Sequence, residues 1–470
     1  MTLKTEDVKL GHLEADVDRP WWHRLRHTLG LDRAILFTVM ARGWSSLAGL
    51  VTVGLIAHFL TGPEQGYYYT FGSLVALQIV FELGFSFVIL QMASHESAHL
   101  TFGPDGGIVG SAAAHGRLAS VLQKSVRWYS VAAVLMFCTL IPAGLYFFSH
   151  HQQAGPVVAW RLPWFLVVLM ASFAFQIDPL FSFMEGCGYV PRVARARLWQ
   201  ALLGSVLAWL ALLTHHGLFA PAMAIAGQVI AGFSWLWTQR RLLLALFRHE
   251  AEIHRVAWRT EVWPFQWRIA VSWMCGYFIF QLFVPVLFAY WGPLAAGQMG
   301  MSLSIINVLT SVAIAWVNTK AALFGNLIAR KEYGRLDTIF FRVLAQSLAV
   351  STACSLIAWT AVKMLNLHHL KVAGRMLAPV PFGLFLIAMV VNHIVFSEAI
   401  YLRSHKQEKL LAQSVIGAVC VGLSTYVLGG HYGAIGMVSG YLTISVAGLG
   451  FATYTFLHFR RVWHGGGDSC

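Results

Sequence analysis

Three patterns place ionisable side chains inside runs that are otherwise apolar. Residues 66–92 carry Gln78, Glu82 and Ser86 at i, i+4 and i+8, a spacing that sets them on one face of a helix. Residues 163–185 carry Asp178, Ser182 and Glu185 at i, i+4 and i+7, again on one face. Residues 34–60 carry Arg42, with Thr38, Ser45 and Ser46 on nearly the same side. A carboxylate in such a setting can take up and release a proton or a sodium ion, and an arginine can pair with it or hold an anion. A lone ionised group in hydrocarbon costs several kcal/mol, so these groups should pair or face water.

The depths of the three groups agree. Arg42 lies about eight residues, or about 12 Å, from the expected cytoplasmic end of its run. Glu82 lies about ten residues, or about 15 Å, from the same side in the antiparallel neighbour. Asp178 falls at a similar level. An Arg42–Glu82 ion pair is therefore expected, and a water-filled cavity in the first half would lower the cost of all three charges.

The elements that must hold these residues are membrane spans. The chain of 470 residues is 57% hydrophobic and 11% charged, well below the charge content of a soluble domain. Many runs reach the length needed to cross a bilayer. Twelve spans are expected, at about 34–60, 66–92, 128–148, 163–185, 198–214, 219–238, 268–290, 294–319, 341–363, 378–401, 410–428 and 432–458. Only the His215–His216–Gly217 turn separates the fifth from the sixth.

The net charge of +13 could suggest nucleic acid, but its distribution points to a membrane instead. With the N-terminus in the cytoplasm, external loops hold only Arg161, Lys363, Lys371 and Arg375, and Arg42 lies within a span. The remaining 28 of the 33 Lys and Arg fall on the cytoplasmic side. Both termini are thus expected inside. The WWHRLRH stretch at 21–27 should lie in the headgroup region, and the GGGDSC tail should be mobile. No cleavable leader precedes the first span in this reading.

An internal repeat divides the chain. Gly62-Pro63 followed by Gly66, and Gly292-Pro293 followed by Gly297, sit half a chain apart, each between the first two spans of a six-span set. A parallel repeat of this kind is a common transporter plan. It gives an N-terminal segment 1–33, a first lobe 34–238, an inter-lobe loop 239–267, a second lobe 268–458 and a tail 459–470. The charges have no counterparts in the second half. Span eight offers Ser304, Asn307, Ser311 and Asn318, and span ten offers Asn392 and Glu398. Serine and asparagine at such places often only hydrogen-bond across a bundle.

Other chemistry is not encoded. The six cysteines (138, 187, 275, 354, 420 and 470) form no CxxC pair and read as free thiols. The His-His pairs at 150–151, 215–216 and 368–369 lack acidic partners and metal spacing, although they could make external loops pH-responsive. No P-loop, HExxH or GxSxG is present, and the short external loops leave no room for a catalytic domain. Neither an enzyme nor an ATP-driven pump fits, and no cofactor is expected beyond coupling to H+ or Na+. Tyr67, Tyr68 and Tyr69 at the external end of span two read as an aromatic belt or, more sharply, as a sugar-stacking platform.

The segment FLTGPEQGYYYTFGSLVALQIVFELGFSFVILQMASHE (59–96) resembles the start of bacterial polysaccharide flippases of the Wzx type. These are O-antigen or repeat-unit translocases of the multidrug/oligosaccharidyl-lipid/polysaccharide (MOP) exporter superfamily. Glu64 to Phe71 is the most specific part. The fold class expected is an all-α polytopic membrane protein, MATE-like, with about twelve helices in two six-helix lobes and both termini cytoplasmic.

The resemblance implies an undecaprenyl-diphosphate-linked oligosaccharide as cargo, moved from the cytoplasmic to the periplasmic leaflet of the bacterial inner membrane by rocking lobes. It implies membrane lipids, and a polysaccharide polymerase or assembly protein, as partners, and no nucleic acid. Family lumens tend to be cationic, which suits Arg42 as a headgroup contact, with Gln78, Asn307 and Asn392 as polar neighbours. Glu82 and Asp178 would then couple the ion. Drug-exporting relatives commonly keep an acidic residue in the first span, where this chain has Arg42. The two extra helices of the lipid II flippase branch are absent. The competing expectation is a MATE-like antiporter of small drug cations.

Overall fold

The computed structural model describes residues 33–103, 107–151, 157–249, 256–257, 261, 263–405, 407 and 409–464. The expected headgroup segment at 21–27 and the tail at 465–470 lie outside the described residues.

The described chain is almost wholly helical. Helix α1 is Arg33–Phe59, and the second expected span is divided into α2 (Gly62–Val75), α3 (Gln78–Glu82) and α4 (Phe85–Ser97). A short antiparallel hairpin, β1 (Leu100–Phe102) with β2 (Ile108–Gly110), follows. Then come α5 (Ala112–His150), α6 (Arg161–Gly186), α7 (Val190–Leu213), α8 (Ala220–Thr238) and α9 (Arg240–Arg248). The second half holds α10 (Trp263–Phe280), α11 (Phe283–Asn318), α12 (Ala321–Ala329), α13 (Tyr333–Leu367), α14 (Pro379–Ser404) and α15 (Leu411–His464).

Among the described residues, nine helical segments are long and apolar enough to cross a membrane, ten with the bent pair Gly62–Glu82 and Phe85–Ser97. Two of the nine are of double length and contain a glycine break: Gly292 (φ 81°) and Gly433 (φ 64°). Gly292 falls at the turn expected after residue 290, and Gly433 falls just inside the twelfth expected span. Glycine occupies both breaks because positive φ is sterically costly for other residues.

Local signals explain the helix ends. Thr61 caps α2 through a reciprocal capping box with Glu64, and Pro63 supplies a preset first turn. Pro191, Pro221 and Pro379 likewise sit in first turns. The turn between the fifth and sixth spans stands where expected: α7 ends at Leu213, His215 takes φ 61°, and a 3-10 turn starts at Gly217. The His-His pairs are helix terminators. His150 and His151 donate from Nδ1 to the carbonyls of Tyr146 and Phe147 at 3.0 and 2.8 Å, and His216 does so to Thr214 at 2.8 Å.

Two expected loops are more ordered than hydropathy suggests. Helix α5 begins 16 residues before its expected span, because residues 112–127 pack apolar side chains such as Leu118, Val121 and Leu122 inward. The basic stretch 240–248 forms the amphipathic α9, with Leu242 and Leu246 buried and three arginines along it. Gln123 donates to the carbonyls of Phe247 and His249 at 3.0 and 2.9 Å, closing the end of that helix. Arg117 then ties Glu96 (2.7 Å) to Glu261 (2.6 Å).

Candidate functional site

The EQGYYYTF stretch builds a junction between the two halves of the chain. A Cβ on Gly66 would stand 1.9 Å from the Pro293 carbonyl oxygen, so the backbones of α2 and α11 touch directly. A Cβ on Gly297 would stand 3.0 Å from the Gly66 nitrogen, and one on Gly300 would meet the Tyr69 ring at 2.3 Å. Such close approach through small residues is how helices associate in lipid, where no hydrophobic drive exists. Buried Gln65 donates to the carbonyls of Gly297 and Arg375, both at 2.8 Å. Arg375 donates to the Leu60 carbonyl at 2.6 Å. The Leu377 amide donates to the buried Ser302 hydroxyl at 3.0 Å. The two Gly-Pro turns of the repeat therefore meet in space.

Tyr67 belongs to this junction. Its ring is 4% exposed and packs with Phe71, Phe148, Trp160 and Phe288 at centroid separations of 5.0 to 6.4 Å. It has no free face for a sugar in this conformation. Tyr68 and Tyr69 are half-buried and stack edge-to-face at 5.1 Å.

Below the junction lies a cluster of acidic and hydroxyl groups. Glu82 engages the Ser86 hydroxyl, and Ser86 Oγ is 2.9 Å from the Tyr129 hydroxyl. Glu82 and Asp178 are in electrostatic reach of each other, and both act on Tyr129. Asp178 is exposed by surface area, although many protein atoms surround it. Arg197, on α7, acts on Asp178 and bonds Glu185 at 3.1 Å.

Both carboxylates border an irregular backbone. Glu82 is the last residue of α3, and Leu83 (φ 52°) and Gly84 (φ 66°) then bend the span by 45°. Asp178 precedes Pro179, which cannot donate to the carbonyl one turn back. Non-helical backbone at membrane depth is tolerated where it lines a cavity. The break was not evident in the sequence, since Leu rarely adopts positive φ.

The expected Arg42–Glu82 pair does not form. Arg42 is exposed, and no ion pair among the described residues includes either group. Their expected depths match, but α1 packs elsewhere. Trp44 donates to Ser205 at 3.0 Å and Trp209 to Thr52 at 2.9 Å, fastening α1 to α7. Its other face meets α11, with Ser46 Oγ 3.3 Å from Ser311 Oγ. Arg42 lies one turn from Ser46, and Asn307 one turn from Ser311. These two predicted residues thus share one seam, and both are exposed.

The remaining two do not join them. Gln78 is half-buried at the start of α3, which packs on α5 and α10. Asn392 is engaged within the second half: its amide nitrogen lies 2.9 Å from the Ala388 carbonyl, 3.1 Å from the Tyr441 hydroxyl and 2.8 Å from Ser445. Arg197 is the participant that sequence reading missed. Its spacing of twelve residues from Glu185 across a turn gave no signal.

No family model matches the chain, and no curated protein matches it. Solved structures do. The chain is similar to an inward-facing multidrug resistance MATE family transporter of the MOP superfamily, with TM-score 0.59 and 14% identity over 88% of this chain and 99% of that one. It is similar to the lipid II flippase MurJ in an inward closed conformation, with TM-score 0.57 and 13% identity over 91% and 90% of the two chains. A third is a MOP superfamily transporter from Pyrococcus furiosus, described by a reversed polarity of its binding pocket, with TM-score 0.55 and 14% identity over 92% and 95%. The fold is that of MOP superfamily transporters, an all-α polytopic membrane fold.

Proposed function

We propose that the chain is a transporter that carries an undecaprenyl-diphosphate-linked oligosaccharide from the cytoplasmic to the periplasmic leaflet of a bacterial inner membrane. Residues 34–238 and 268–458 act as two rocking six-helix lobes, joined by 239–267, with both termini in the cytoplasm. The observation that carries the reading is the one-sided junction. Gly66, Pro293, Gly297 and Gly300 close the end expected to be external, while Arg42 and Asn307 lie exposed on the seam away from it. Such a state receives cargo from the cytoplasm.

Arg42 holds the diphosphate or an acidic sugar in that seam, and the polyprenyl tail stays in lipid. Glu82 and Asp178 exchange a proton or sodium ion with the cavity and bias the two states. The cargo class is supported by the resemblance of residues 59–96 and by a cation where drug exporters commonly keep an acid. The reading is tested by deleting the gene and labelling undecaprenyl-linked lipids from each side of the membrane. Sugar-linked lipid trapped on the cytoplasmic face, with loss of surface polysaccharide, is the expected result. A normal lipid pool and normal polysaccharide would overturn it.

One observation favours a second reading, an antiporter of small cations. Glu82 and Asp178 lie in electrostatic reach of each other in the first half, and two such carboxylates would suit a cationic guest as well as an ion. Export of a cationic dye that depends on Glu82, with unchanged polysaccharide, would select it.

A further inference from the structure

A groove of about 870 Å³ runs between α13 and α14, away from the acidic cluster and the seam. Its walls are almost entirely apolar, with Thr352 at one end and Lys363 towards the other. Trp359 forms its floor. The indole nitrogen donates to the Pro379 carbonyl at 3.0 Å, and Gly383 lets the ring lie against α14, since a Cβ there would stand 2.9 Å from it. Lys363 Nζ sits 5.1 Å above the same ring, so the cation is held at the groove's mouth.

The flanking side chains Leu356, Val380 and Ile387 are 60%, 66% and 52% exposed, so the groove opens sideways on an apolar, membrane-facing surface. Its length also fits a membrane occupant. On α14 the lining runs from Pro379 to Val391, twelve helical steps or about 18 Å, and on α13 it continues past Lys363 to Leu367. One leaflet of hydrocarbon is about 15 Å thick. The mouth is basic as well. Three of the four Lys and Arg that the charge pattern leaves external, Lys363, Lys371 and Arg375, belong to this helix end and the loop after it.

We propose that this groove is a binding site for a diacyl phospholipid with an anionic headgroup. Its tails lie between α13 and α14, and its phosphate is held at Lys363. The leaflet is the one on the side of the junction. The match to a single leaflet's depth selects an ordinary acyl chain over a long polyprenyl tail. The loop from the mouth also carries Gly374 and Arg375, whose carbonyls accept from Gln298 (3.0 Å) and Gln65 (2.8 Å), so the site adjoins the junction between the halves. This assignment does not depend on the cargo.

The full chain is reconstituted in phosphatidylcholine vesicles that contain a small fraction of photoactivatable phosphatidylglycerol, and crosslinked peptides are mapped. Crosslinks concentrated in residues 352–391 are expected. Lys363→Gln should weaken the preference for phosphatidylglycerol over phosphatidylcholine about fivefold, from about 1 kcal/mol per basic residue at a membrane surface. Leu384→Trp, which fills the tail channel, should remove the crosslinks while the protein elutes and melts as before. Crosslinks spread evenly over the lipid-facing surface, or no response to either variant, would overturn the proposal. Stronger retention of an added polyprenyl phosphate at the same peptides would also overturn it, in favour of a polyprenyl site.

Discussion

Glu82 and Asp178 of the first half and Asp337 of the second are held in opposite ways. In the first half, Glu82 and Asp178 border a broken helix and a proline; Glu82 engages the Ser86 hydroxyl, and Arg197 acts on Asp178 without closing an ion pair on it. In the second half, Asp337 is locked by Arg460 (2.8 Å), the Tyr401 hydroxyl (2.9 Å) and His464 (3.3 Å). Glu398 is 4% exposed; one oxygen accepts a hydrogen bond from Thr453 at 2.9 Å, and Oε2 has no hydrogen-bond partner among the described residues, so it does not share the locking of Asp337. Partnered acids hold helices together. Acids left beside water can change state. Glu82 and Asp178 are thus the place to look for ion exchange, and the Asp337 cluster is the place to look for rigidity.

That contrast can be broken at several points. The largest effect is expected at the junction that joins the two regions. Gly66→Val drives a branched side chain into the Pro293 carbonyl and should destabilise the closed state by about 3 kcal/mol. A lower melting temperature in detergent, with loss of transport, checks it. Next, Arg460→Leu leaves Asp337 short of its cation. The pair is partly exposed, at 33% and 14%, so the loss should be about 2 kcal/mol rather than the full cost of a buried charge. Glu398→Gln keeps the shape and should move the melting point little, by about 1 kcal/mol or less.

Glu82→Gln sharpens the contrast most. Its effect on melting should be the smallest, within about 0.5 kcal/mol, yet transport should be lost. Full activity in that variant would remove the coupling role from the first half.

Acid provides a further probe, outside the membrane. The Arg117 guanidinium holds the Glu261 carboxyl below its ordinary range. A carboxyl lowered on folding adds stability above its unfolded pKa and gives it up as pH falls through the folded one. The tie between α5 and the inter-lobe loop should therefore be present at neutral pH and weaken on acidification below the ordinary carboxylate range. Hydrogen exchange at residues 256–261 reads this out, and Arg117→Ala should abolish the pH response.

The spans were legible because lipid demands about twenty apolar residues per crossing, and that demand is written in composition. The turn at Gly292 was legible in the repeated Gly-Pro pattern. Azimuth was not. Depth places Arg42 level with Glu82, but only packing shows that α1 lies on α7 and α11. The break at Leu83 hides behind a residue with no turn chemistry. Arg197 lay at the start of a span, where a basic residue reads as ordinary cytoplasmic charge. Tyr67 looked like a belt residue until its neighbours closed around it, and Asn392 was as much glue as site.

The junction has a kinetic consequence. Its contact surface is mostly backbone: Gly66 faces the Pro293 carbonyl, Gly297 faces the Gly66 nitrogen, and Gly300 receives the Tyr69 ring. Glycine and proline have no rotamers to freeze, so each closure loses little side-chain entropy. The bonds that must part are few, chiefly those of Gln65 and Arg375. A closure built this way can be tight without being slow, as the proposed transport cycle requires.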